Sequence, residues 1–258
     1  MNQSPDEKSS APRGVSLRAM RFPLALVLLA GVCLLTSLAG AGSPPPKERS
    51  GPPVKELPRP LLAQHPNPLA NELEVLSVSA EETYEVAISG KLDRLPKKFE
   101  AVKKSAASLP AMQDEANANL LPHLKHTITE LEQAVNSKDR LDVMRFSNRV
   151  SLIAATLAVP LKPCVPTEVS LLDYNARELA IWAELKRMER LSSIVIRMHL
   201  AWQALMPKLV DHNATRELRR FSDLMGHLEA AKSSEEYSRL SRQLSSELTG
   251  LRMVFARK

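Results

Sequence analysis

Apolar residues return at intervals of three and four along much of the chain beyond residue 70. Leu121, Leu124, Ile128, Leu131 and Val135 form one such stripe; Val143, Phe146, Val150, Ile153 and Leu157 form another after the polar break "NSKD". A one-sided stripe needs a partner face, and a short polar connection makes the neighbouring helix that partner. These residues predict a helical hairpin. Leu218, Phe221, Met225 and Leu228, followed by Tyr237, Leu240, Leu244, Leu248 and Leu251, predict a second one. Between its arms "SSEE" sets Ser233 as a helix cap with Glu236 three residues on, the spacing of a capping box. Both hairpins carry an "LExA" segment before the polar turn, at 131–134 and 228–231, which raises the question of an internal duplication.

The longest periodic stretch lies between the hairpins, from Glu168 to Met206. Ile181, Leu185, Met188, Leu191, Val195, Met198, Trp202 and Leu205 step along it. Unbroken, it would reach roughly 58 Å at a rise of about 1.5 Å per residue. Such a helix serves as a spine for both hairpins or as a dimer seam. The two successive three-residue steps at 185, 188 and 191 depart from a heptad and favour a bundle over a long two-stranded coiled coil. Pro207 is expected to end or kink this helix, and Pro122 to mark a similar break. Residues 79–109 add one or two shorter helices, with Ser79 and Glu82 as cap residues and Pro96 as an interruption. The predicted fold is all-α: an elongated antiparallel helical bundle with two helical hairpins packed on a long central helix.

Composition sharpens that picture. Only Gly90, Gly226 and Gly250 occur after residue 70, where Leu, Ala, Glu, Lys and Arg dominate, so strong helix formers run with almost no turn glycine. Upstream the chain changes character. Residues 1–21 are polar with four basic side chains, and residues 22–42 carry no charge. That run is the length of a signal peptide core or of one membrane span. "SLA" and "AGA" at 37–41 favour cleavage, with a retained anchor as the alternative, and Met20 offers a start that would shorten the leader. Residues 43–70 hold nine prolines and read as a tether, with docking of "PPPKE" or "ELPRP" into an aromatic groove as a second reading. The domain at 71–258 is then expected outside the cytoplasm, in the periplasm, soluble after cleavage or anchored in the inner membrane. "NAT" at 213–215 would accept a glycan only in a eukaryotic secretory pathway.

Cleavage near residue 41 leaves Cys164 as the one cysteine, so packing rather than an internal disulfide must hold the domain. It also removes four basic and two acidic residues and leaves +4 of the total +6. The remaining basic segments, "RELRRF" and "LKRMER", are interrupted by glutamate, and nucleic acid is not an expected partner.

Candidate chemistry is sparse. "LLPHLKH" sets His123 and His126 on one side of a helix with Glu130 one turn on, a set that suits zinc or copper. His199, with Met198, Met206 or Trp202, offers a noncovalent haem or copper alternative. No C-x-x-C-H, H-E-x-x-H, E-x-x-H, glycine-rich phosphate loop or G-x-S-x-G elbow occurs in the chain. The sequence therefore predicts an exported interaction protein without bond chemistry: an adaptor, a chaperone-like factor or an envelope assembly component. Its expected partner is another envelope or secreted protein, with a homodimer as an option. A metal- or small-ligand-binding bundle, acting as a sensor through a membrane partner, is the rival reading.

Overall fold

The computed structural model describes residues 67–109 and 119–256. The basic leader, the apolar run 22–42 and the tether up to residue 66 lie outside the described residues. Among the described residues there are eight α-helices and no strand: α1 (Pro68–Ile88), α2 (Leu95–Ala107), α3 (Leu120–Ser137), α4 (Arg140–Ala158), α5 (Thr167–Glu184), α6 (Met188–Asp211), α7 (Thr215–Ala230) and α8 (Ser234–Ala256). They pack against one another as an all-α helical bundle. None of them is long and apolar enough to cross a membrane.

Both predicted hairpins form, as α3–α4 and α7–α8. Asp139 caps α4 by accepting from Asp142 N at 3.0 Å. Before α8 the capping box is complete. Ser233 Oγ accepts from Glu236 N at 3.2 Å, while Glu236 Oε2 accepts from the backbone of Ser233 at 3.2 Å and Lys232 at 2.7 Å.

The expected central helix is two helices. α5 ends at Glu184 and α6 starts at Met188, because Lys186 adopts a left-handed conformation with φ of 53°. Trp182 O then accepts from Arg187 N at 3.0 Å and Ala183 O from Lys186 N at 3.1 Å, closing a Schellman motif. Lys138 after α3 and Asn213 after α6 close the same motif, with Asp139 N on Ala134 O and Ala214 N on Leu209 O, both at 3.0 Å. Lysine and asparagine thus occupy turn positions that usually fall to glycine.

Other local expectations shift too. α1 starts at Pro68, capped by Asn67 Oδ1 accepting from Leu69 N at 3.0 Å, so Ser79 is not a cap. Ser79 is buried in mid-helix and donates to Val75 O at 2.9 Å. Pro96 and Pro122 sit in the first turns of α2 and α3, where a missing N–H costs nothing. Pro207 does not end α6, which runs on to Asp211.

The helices enclose two hydrophobic cores. Leu76, Phe99, Leu131 and Leu157 of α1–α4 fill the first. Leu172, Trp202, Phe221 and Leu244 of α5–α8 fill the second, where the rings of Trp202 and Phe221 lie 4.6 Å apart. α5 serves both, since Ile181 packs into the first core while Val169, Leu179 and Ala183 pack into the second.

Candidate interaction surface

Each predicted ligand residue has a definite place. His123 and His126 lie in the first two turns of α3 and point to solvent, because Leu124 and Thr127 take the inward positions. His126 Nε2 is 3.6 Å from Glu130 Oε1. Among the described residues no three His, Cys, Asp or Glu side chains form a group able to hold a metal ion. Cys164 is a free thiol, half-buried in the α4–α5 connection.

His199 is separated from the residues grouped with it. Met198 and Trp202 are buried in the second core, whereas His199 looks outward and bridges two helices. Its Nδ1 lies 2.6 Å from Glu229 Oε1 of α7, and its Nε2 lies 2.7 Å from Gln203 Nε2. Nδ1–H therefore donates to the carboxylate, and Nε2 accepts from the amide.

Beside this bridge runs an exposed apolar face of α6. On α6, Ile196 is 63% exposed, Leu200 61% and Val210 63%, with Pro207 exposed on the same side. Their spacing of four, seven and three keeps them on one flank of the helix. Val195, Ile196 and Leu200 line a shallow groove of about 340 Å³ whose polar edge is His199 and Glu229. A second groove, about 450 Å³, follows the α4–α5 connection past Val159, Pro163 and Pro166; Lys208 Nζ and Glu168 meet there at 2.7 Å.

Sequence reasoning missed a buried ionic cluster where α1, α5 and α8 meet. Arg252 donates to both Glu81 oxygens, at 3.1 and 2.9 Å, and also to Asp173. Arg177 reaches Asp173 Oδ2 at 2.8 Å and Glu81 Oε1 at 3.3 Å, and Tyr84 OH donates to Arg177 O at 3.4 Å. Two cations and two anions balance, which keeps so much buried charge tolerable. Burial alone would raise the Glu81 carboxyl, but the Arg177 and Arg252 guanidiniums outweigh it and hold its pKa at about 2. Burial likewise pushes the Tyr84 phenol above its usual range, against the pull of Arg177. Only the Asp173–Arg177 spacing of four hints at the cluster in the sequence; Glu81 and Arg252 are brought together solely by the fold.

Compared with protein-family models, curated proteins and solved structures, the chain finds no match in any of the three. The functional reading therefore rests on the molecule's own surface.

Proposed function

We propose that this chain is an exported helical interaction protein. Residues 22–42 direct it across a membrane as a cleaved signal or a retained anchor, and the proline-rich stretch spaces the helical domain from that membrane. The domain binds another envelope or secreted protein through the outward face of α6, by surface complementarity and without bond chemistry. An adaptor, a chaperone-like factor or an assembly component would all use a face in this way.

The supporting observation is the stripe of Ile196, Leu200 and Val210. Scattered apolar side chains are ordinary on protein surfaces, whereas Ile196 and Leu200 stand one turn apart beside an apolar groove, as at interaction sites. Fully burying such a side chain is worth roughly 1.5–3 kcal/mol, most of which these three leave unrealised until a partner covers them.

A photo-crosslinking residue at position 200, in the full chain expressed in its own host, tests the reading. A discrete adduct to one envelope or secreted protein is expected from position 200 and not from the exposed position 104 on α2. No adduct, or equal adducts from both positions, contradicts it.

A further inference from the structure

Helices α1–α4 and α5–α8 have the same plan. In each set the first helix packs on the second and fourth, and the third packs on the second and fourth, closing a ring of four. Sequence follows that plan at a shift of 96 residues. "AEETYEVAISGKLDRL" (80–95) aligns with "ARELAIWAELKRMERL" (176–191), identical at five of sixteen positions and conservative at Lys91/Arg187, Leu92/Met188 and Asp93/Glu189. Burial agrees along the aligned helices: Leu76 with Leu172, Ala87 with Ala183, Leu95 with Leu191 and Val102 with Met198 are all buried.

Backbone geometry agrees as well. Gly90 and Lys186 are equivalent, both are left-handed with φ of 72° and 53°, and their N–H groups donate to the equivalent carbonyls of Ala87 and Ala183 at 3.0 and 3.1 Å.

The second half of each ring repeats this agreement. The "LExA" segments fall near the C-terminal ends of the third helices, α3 and α7, with Leu131 and Leu228 fully buried. The glutamate of each segment reaches back to the second helix at an equivalent position: Glu132 to Lys103 at 3.5 Å, and Glu229 to His199 at 2.6 Å. Asp139 and Ser233 both cap the fourth helix by accepting from the third residue beyond them. "RFSNRVS" (145–151) and "RLSRQLS" (239–245) then occupy the same distance from the cap, and the first serine of each, Ser147 and Ser241, is buried. Three residues are missing from the second hairpin turn relative to the first, close to one helical turn, so the inward face keeps its phase.

We infer that the helical domain is a tandem duplication of one four-helix unit, and that each unit's principal interaction partner is the other copy. The seam between the copies carries the ionic cluster. Glu81 and Arg177 are equivalent positions, and they meet each other there at 3.3 Å. The comparison also explains the α6 stripe. Ile196 and Leu200 stand where the first copy has the exposed Glu100 and Lys104, so the apolar face belongs to the second copy and not to the scaffold. This inference does not depend on the proposed function.

Two sets of full-length variants test it. One exchanges the hairpins 121–157 and 218–251, each in the other's place. The other compares His199→Lys with His199→Ala, each with and without Glu229→Gln, beside Lys103→Ala and Glu132→Gln, singly and together, in two double-mutant cycles. Duplication predicts that the exchanged chain unfolds in one cooperative transition, and that Lys at 199, measured against Ala there, couples favourably to Glu229 as Lys103 does to Glu132. The surface cycle decides if the exchange disturbs folding. Uncoupled Lys at position 199 overturns the equivalence of the two clasps and with it the duplication.

Discussion

At the residue scale the ionic cluster is where single changes cost most. Arg252 bonds Glu81 and Asp173 together, so Arg252→Met leaves two carboxylates without one of their cations. Arg252 is partly exposed, so losing its charge-assisted hydrogen bonds costs about 1.5–3 kcal/mol, and urea unfolding at pH 7 should register that loss. The pH dependence has a definite sign. Glu81 has a folded pKa of about 2 against an ordinary 4.5, so its contribution is complete above pH 4.5 and is lost as pH falls towards 2. Glu81→Gln should lower stability at pH 7 and flatten its dependence between those limits; an unchanged slope in urea titrations at pH 5 and pH 3 would refute the assignment. By contrast, His123→Ala and His126→Ala should leave stability within about 0.5 kcal/mol, since both side chains are exposed.

Helices and their turns show what was legible in the sequence and what was not. The two hairpins and the capping box could be read directly, because stripe spacing and cap residues act over one or two turns. The break at 185–187 left only an indirect trace, the two consecutive three-residue steps. Its cause is a left-handed lysine, and nothing about Lys186 in sequence distinguishes it from a helical lysine. A non-glycine residue in that conformation carries roughly 1–2 kcal/mol of steric strain. Lys186→Gly should therefore stabilise the domain by about 0.5–1 kcal/mol, and Lys186→Val should destabilise it; thermal melts of both variants check the sign. Glu236→Ala, which removes the acceptor for two backbone N–H groups ahead of α8, should cost about 1 kcal/mol in the same assay. Histidines were conspicuous because their chemistry is, yet the apolar face of α6 and the cluster at the seam depend on which sides of helices meet, and that is set by tertiary packing.

For the whole molecule, two cores share one helix. α5 is lined on one side by the first core through Ile181 and on the other by the second, and its Asp173 and Arg177 hold the seam. Opening either ring must disturb it, so the central amides of α5 should exchange with solvent more slowly than those of α7, as hydrogen-exchange mass spectrometry can measure. The proposed function rests at this scale on an asymmetry between two like units: one presents charge on its outer face, and the other presents Ile196 and Leu200. The most direct test is a native mass spectrum of the full-length chain purified gently from its own host, for the natural chain and for Ile196→Glu/Leu200→Lys. The account predicts a defined complex with another protein for the natural chain and a bare, folded chain for the variant. A bare natural chain, or a variant that keeps the complex, would contradict it.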